Sequence, residues 1–264
     1  MEWTTRPCLH GDFCWHEVNT RDPAGTVGFY GALLGATTTS MPMPHGDYSM
    51  LAVDGHTVLG VMPLQGLAPD HVPTHWLGYV AVDDVDATTE RAKQLGAQAL
   101  VEPMDVPIGR WSLVEHPAGG MAALFQADPG KTDGTNSFGP GAVAWNQLVT
   151  PDVEGAVAFW SGLLGWEAPP SPVGDADGSR RMTAHGRPVA GIMPSATKDD
   201  HPGWLAFIAV RDLADSLRRA IALGATQRTE PLPVVGLGTV VVLADPQGAL
   251  FAIGESAIGE PASR

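Results

Sequence analysis

The sequence predicts an α+β protein built from four βαβββ units, two in each of two tandem copies. Three observations carry that prediction. The chain repeats itself: Trp15-His16-Glu17-Val18-Asn19-Thr20 returns as Trp145-Asn146-Gln147-Leu148-Val149-Thr150, and Phe29-Tyr30-Gly31-Ala32-Leu33-Leu34-Gly35 returns as Phe159-Trp160-Ser161-Gly162-Leu163-Leu164-Gly165, both at an offset of 130. The spacing of apolar residues switches between strand and helix periods in one recurring order. Between the copies, residues 128–141 hold too much Gly and Pro for a packed element and read as a linker. The expected domains are therefore 10–127 and 142–256, and each copy, at about 115 residues, is long enough for its own core.

In the first copy an extended stretch from Phe13 to Asn19 precedes a helix from about Ala24 to Leu34. Gly35 closes that helix, because glycine enters the left-handed conformation at a helix end without strain. Short strands follow at Tyr48–Val53 and Thr57–Met62. The second unit opens with a strand at Trp76–Val82 and continues with a helix at Val85–Leu95 stopped by Gly96. It ends in strands near Ala99–Glu102, Trp111–Glu115 and Met121–Gln126. Later repeats keep the second copy in step: Gly60-Val61-Met62-Pro63 against Gly191-Ile192-Met193-Pro194, and Glu102-Pro103 against Glu230-Pro231.

Charge and composition narrow the function. The 264 residues carry 29 acidic against 15 basic side chains, a formal charge of −14, which argues against nucleic acid because a polyanion needs a basic face. Membrane association is not expected either: no apolar run reaches the length of a span, and Met1-Glu2-Trp3-Thr4-Thr5-Arg6-Pro7 lacks the apolar core of a secretion signal. Cys8 and Cys14 are the only two cysteines and cannot build a disulfide framework, so a cytoplasmic protein is expected, as a monomer or homodimer. Nucleotide-binding glycine motifs, a phosphate loop and a Gly-x-Ser-x-Gly turn are all missing, which argues against nucleotide cofactors and acyl-enzyme chemistry. The cluster Cys8-x-His10-x-x-x-Cys14-x-His16 has zinc-friendly residue types in a spacing unlike a finger or ribbon, and reads as an N-terminal arm with chance Cys and His.

The sequence resembles the vicinal oxygen chelate superfamily, which includes glyoxalase I, bleomycin-resistance proteins and extradiol dioxygenases. The residues that carry the resemblance are Asp22 with Phe29-Tyr30-x-x-Leu33-Leu34-Gly35, Val80-Ala81-Val82-Asp83-Asp84 with Leu95-Gly96-Ala97, and Asp245-Pro246-Gln247-Gly248 before a last apolar strand. The resemblance implies two tandem glyoxalase-like domains, each a curved mixed sheet around a cavity with helices outside. Superfamily members hold a divalent ion with His, Glu or Gln on inward strand positions. Carried over by spacing, those positions fall on Trp15, Leu77 and Ala123, and on Trp145, Leu205 and Ala252, none of which ligates a metal. No metal and no other cofactor is expected. A one-residue slip would turn in His16 without companions, so His16 is expected to be packed with its nitrogen satisfied.

With this register the first strand directs Trp15, Glu17 and Asn19 inward, and the next unit directs His75, Leu77 and Tyr79 inward. Tyr48 and Trp111 join them as candidate ligand-binding residues, with Trp145, Gln147, Leu205 and Phe207 in the second copy. Such an aromatic pocket suits a hydrophobic, planar small molecule, the plainer alternative being that these aromatics fill a closed core. The leading reading is a metal-free binding protein for an aromatic natural product, of the antibiotic-binding or resistance type. The alternative is a secondary-metabolism isomerase, lyase or cyclase with Glu17 as general acid/base, since a carboxyl beside tryptophan in a dry pocket has a raised pKa unless paired. His45 or His75 would be its partner, each of which also reads as a plain loop or rim histidine. Three plainer readings pair Glu17 with Arg110, hydrogen-bond it to a ligand or leave it at the solvent rim. A metal-dependent glyoxalase or dioxygenase comes last. His116, where the second copy has Asp245, reads as a turn variant. Gln147, Gly203 and Phe207 stand where the first pocket has Glu17, His75 and Tyr79, which predicts that selectivity resides in the first copy.

Overall fold

The computed structural model describes residues 2–132, 134–170, 178–197, 202–234 and 238–255. Linker position 133 and the expected domain end at 256 lie outside them. After an arm, β1 (Thr4–Pro7), the first unit runs β2 (Phe13–Thr20), α1 (Pro23–Leu34), β3 (Thr37–Met41), β4 (Tyr48–Val53) and β5 (His56–Pro63). The second runs β6 (His75–Ala81), α2 (Val85–Gln94), β7 (Gln98–Val106), β8 (Gly109–His116) and β9 (Gly120–Ala127). Strand β10 (Thr135–Phe138) precedes the third unit, β11 (Val143–Thr150), α3 (Val153–Leu164), β12 (Arg180–Ala184) and β13 (Arg187–Pro194). The fourth comprises β14 (Gly203–Ala209), α4 (Leu213–Ala222), β15 (Thr226–Gln227), β16 (Leu232–Val234), β17 (Gly238–Ala244) and β18 (Leu250–Gly254).

Local chemistry sets the helix ends. Asp22 accepts from the Gly25 amide at 2.9 Å, Pro23 occupies the first turn, and Gly35 closes α1 at φ +65°. Asp152 and Gly165 repeat the arrangement on α3, while Asp84 and Asp212 cap α2 and α4. Strands of the first copy order as β3-β4-β5-β2-β6-β9-β8-β7, and those of the second as β12-β13-β11-β14-β18-β17-β15 with β16 on β17. In every unit the first strand pairs parallel to the last, and the two units of a copy join antiparallel, through β2 and β6 or β11 and β14. The architecture is mixed α+β, with two large mixed sheets that do not close.

Two features depart from the sequence reading. The linker is not free of packed structure: β10 within it pairs antiparallel with β1, matching Thr4 with Phe138 and Pro7 with Thr135, and Asn136 Nδ2 donates to the Phe13 carbonyl at 2.8 Å. Nor does each copy build its own core. One apolar cluster joins Val18, Phe29, Tyr30, Leu51 and Trp76 to Ile208, Val241 and Phe251; another joins Val80, Val114 and Leu124 to Leu148, Trp160, Trp166 and Ile192. The helices cover the convex sheet faces, and those faces pack back to back, so α1 meets α4 and α2 meets α3 between the copies. Sharing is physically favoured because a helix buried on one side only would leave half its apolar surface in water. His16 and Asn146, equivalent positions in the repeat, meet at this joint, with His16 Nε2 2.7 Å from Asn146 Oδ1. Burial pushes the His16 pKa down to about 4, so it sits there neutral.

Candidate functional site

Alternation along the strands separates two faces. Val18, Val61, Trp76, Val80 and Leu124 enter the shared cores, which leaves Trp15, Glu17, Asn19, His75, Leu77, Tyr79 and Ala123 on the concave face of the first sheet. Tyr79 lies against Trp111, ring centroids 6.1 Å apart, and edge-on to Phe125 at 6.5 Å. Trp15, His75, Tyr79 and Trp111 are half-buried, while Glu17 is 2 % exposed and Leu77 and Tyr48 are buried.

Glu17 is the centre of this floor. Tyr48 donates to its Oε2 at 3.1 Å, Tyr79 donates to its Oε1 at 2.9 Å, and Trp15 Nε1 donates to the Tyr48 hydroxyl at 2.8 Å. Removal from water raises the Glu17 pKa to about 7, against the opposing pull of Tyr79, Tyr48 and Asn19. The carboxylate in turn adds to the burial that pushes both phenols upward. Asn19 is buried too, with its amide near the Glu17 carboxylate but outside ideal hydrogen-bond geometry. A glycine makes the cluster possible: a Cβ on Gly60 would stand 2.1 Å from the Tyr48 hydroxyl and 3.1 Å from Glu17 Cβ. Gly60→Ala is expected to push Tyr48 off Glu17 and lower stability by about 1–3 kcal/mol, measured by denaturant melts.

Other expected partners lie elsewhere. Arg110 does not neutralise Glu17, because Asp86 and Asp105 hold its guanidinium at 2.6 and 2.7 Å on the far edge of the sheet. His75 spends Nδ1 on the Pro73 carbonyl at 2.8 Å, and burial lowers its pKa. Nδ1 of His116 accepts from the amides of Ala118 and Gly119, at 3.2 and 3.1 Å, as Asp245 Oδ1 does from Gln247 and Ala249; the ring is a turn acceptor stacked on Phe159.

The second concave face has Gln147, Gly203 and Phe207 in place of Glu17, His75 and Tyr79, and carries the Arg181 guanidinium 6.0 Å from the Trp145 ring. Trp145 Nε1 donates to Gln147 Oε1 at 3.1 Å, and Trp145, Phe207, Val240 and Ala252 pack into a cluster with half-buried Leu205. Every inward ionisable group of the first copy is neutral or absent there.

A superfamily metal would need His, Glu, Asp or Cys donors facing one point. The inward positions instead offer Trp15, Leu77 and Ala123, or Trp145, Leu205 and Ala252, and both oxygens of Glu17 already accept from tyrosine. Among the described residues no three His, Cys, Asp or Glu side chains form a group that could hold an ion. These residues do not fit a divalent metal.

Two open mixed sheets, each made of two strand-helix-strand units joined antiparallel, define a tandem protein of the vicinal oxygen chelate superfamily, although among the described residues only two strands follow the helix in the third unit and four in the fourth. The chain belongs to the glyoxalase-like domain family, whose model matches residues 15–125 and again 143–254. It is 30 % identical over 242 residues to the putative glyoxylase CFP32 of Mycobacterium tuberculosis, covering 90 % of this chain and 92 % of the relative. It is 31 % identical over 274 residues to the anthracycline biosynthesis protein DnrV of Streptomyces peucetius and 31 % over 270 to DauV of Streptomyces sp. strain C5, covering 94 % of both chains in each case. The fold is shared with the Mn(II)-bound glyoxalase of Novosphingobium aromaticivorans, at TM-score 0.65 and 17 % identity over 97 % of this chain and 84 % of that one. It is also shared with the 2,3-dioxygenase LapB of Pseudomonas sp. KL28, at TM-score 0.64 and 14 % identity over 97 % of both. No helix among the described residues is long and apolar enough to cross a membrane.

Proposed function

We propose that the first concave face binds a hydrophobic, aromatic small molecule of secondary metabolism, without a metal. The observation that carries this reading is the floor itself: half-buried Trp15, Tyr79 and Trp111 present ring surface around a buried carboxyl held by two phenols. Ring faces reward a planar guest through stacking and dispersion. Relatives named for anthracycline biosynthesis support a polycyclic, carbonyl-bearing guest. The second face, filled by its own Trp145 and Phe207, acts as support.

Titrating tryptophan fluorescence with polycyclic quinones should give saturable quenching with Kd below about 1 mM. Trp15→Ala should weaken that affinity about tenfold or more, since stacking on one aromatic ring contributes on the order of 1 kcal/mol and its burial adds to it. If no aromatic guest binds, or Trp15→Ala changes nothing, the binding reading fails.

A second reading has one specific support. A carboxyl that titrates near neutral pH inside an aromatic pocket is poised to give or take a proton, which makes Glu17 a candidate general acid/base, with His75 on the same face two residues along β6 from the Leu77 that pairs with it. Glu17→Gln would then abolish turnover of a bound polyketide-like substrate while sparing its binding, and unchanged turnover would remove the mechanism.

A further inference from the structure

A cavity of about 250 Å³ lies at the joint of the two copies, under the ribbon formed by β1 and β10 and away from the floor around Glu17. Its walls combine rings and charge: Phe13, Phe138 and Trp145 line it with Arg6 and Asp12, and Arg187 flanks it beside the lining residue Pro188. Arg187 Nη2 is 2.5 Å from Asp12 Oδ2, Arg6 Nη2 is 3.9 Å from Asp12 Oδ1, and the Arg6 guanidinium lies over the Phe138 ring at 4.5 Å. Two guanidiniums therefore share one carboxylate whose side chain is wholly buried. The remaining ionisable neighbours do not cancel the surplus, because His16 is neutral and bound to Asn146.

Hydrogen bonding is as unbalanced as charge. Nε of Arg6 and Nε of Arg187 are buried with no acceptor, and Oδ1 of Asp12 has no donor. Burial also lowers the Arg6 pKa, with Arg187 pushing the same way against the pull of Asp12. Both side chains keep accessible surface, 33 % for Arg6 and 27 % for Arg187, through which a second carboxylate can offset the charge that Asp12 leaves unmatched. In a chain of net charge −14, a pocket with an unmatched positive charge is a local reversal of sign.

We propose that this interdomain cavity is a binding site for a small aromatic carboxylate. Its carboxylate engages the Arg6 and Arg187 guanidiniums, and its ring packs against Phe13 and Phe138. The volume sits just below the roughly 300–1,000 Å³ of drug-sized pockets, so a one- or two-ring acid fits and a polycyclic natural product does not. The site is independent of the floor around Glu17 and stands or falls apart from it.

Isothermal titration of the full chain with benzoate and 2-naphthoate, against benzamide and 2-naphthamide, tests the proposal. Both acids should bind, and each amide should bind about 10- to 100-fold more weakly because the charge-assisted bonds are lost. Arg6→Gln should weaken benzoate binding by a similar factor, and Trp15→Ala should leave it unchanged. Arg187→Gln should act like Arg6→Gln; if that variant fails to fold, because Asp12 is left without its closest partner, Arg6→Gln and its partial rescue by Arg6→Lys decide the matter. Equal affinity for acid and amide, loss of acid binding in Trp15→Ala but not Arg6→Gln, or no binding up to about 10 mM would each overturn the site.

Discussion

Raising the pH from about 4.5 to 7 should remove roughly 3 kcal/mol of stability from the wild-type chain that Glu17→Gln retains. Glu17 sheds its proton near 4.5 when unfolded and near 7 when folded, because the concave floor withholds water from the charge. Between those values the folded state holds one proton more than the unfolded state, so stability falls by about 1.4 kcal/mol for each pH unit. The contribution is complete below the unfolded pKa, declines across the window and levels off above the folded pKa. The amide in the variant does not titrate, and subtracting the two curves cancels every other group, including buried Asp245, whose pKa is also raised by burial. The second copy already places an amide at this position, with Gln147 accepting from Trp145. In the first copy one phenol must turn to accept from the new amide, which a hydroxyl can do by rotation. Urea melts of both chains at intervals from pH 4 to 8 measure the difference. Two parallel curves with a constant offset would show that Glu17 is not buried in its neutral form, and would take the acid/base reading with them.

Much of this architecture is legible in the chain because it is local. The repeat gives four units, the apolar period gives most strands and helices of the first copy within a residue or two of their ends but stops β7 four residues short at Glu102, and Asp22 with Gly35 brackets α1. Strand alternation also fixes which side of β2 carries Glu17, since Val18 and its neighbours belong in a core. What escapes the sequence is nonlocal. Strand β3 is an exposed edge whose five residues show no apolar alternation, and β1 and β10 exist only through each other across the linker. The phenols on Glu17 come from 31 and 62 residues away, and only the bare Gly60 in a repeated Gly-x-Met-Pro motif hints that something must pass over that strand. Asp12 and Arg187 are 175 residues apart, with no local pattern to join them. The shared cores are hidden for the same reason: α2, α3 and α4 announce by their amphipathic period that each has a buried face, and nothing in their sequences names the other copy as the cover.

That sharing makes the two copies one folding unit, and Phe251→Ala should show it by costing about 3–5 kcal/mol. Phe251 belongs to β18 of the second copy and is fully buried, yet its ring meets Phe29 and Tyr30 of the first copy edge-on, at centroid distances of 6.0 and 5.5 Å. Truncation opens a cavity beside a buried polar chain that also crosses the joint, in which Trp76 Nε1 donates to the Tyr30 hydroxyl at 3.1 Å and that hydroxyl donates to Asp245 Oδ2 at 3.1 Å. Backbone shifts that fill the void must disturb those bonds, so the loss belongs to the upper part of the range for a phenylalanine truncation. If each copy were stable alone, the substitution would lower one of two transitions and leave the first copy standing. With Phe29, Tyr30 and Phe251 in one core, the first copy cannot keep α1 in place once β18 has gone. Urea denaturation followed by far-ultraviolet circular dichroism and by tryptophan fluorescence should therefore give coincident single transitions, displaced together in the variant. Separate transitions of which only one moves, or a loss under about 1 kcal/mol, would mean that the copies fold independently and that the contacts of Phe251 across the joint carry no stability.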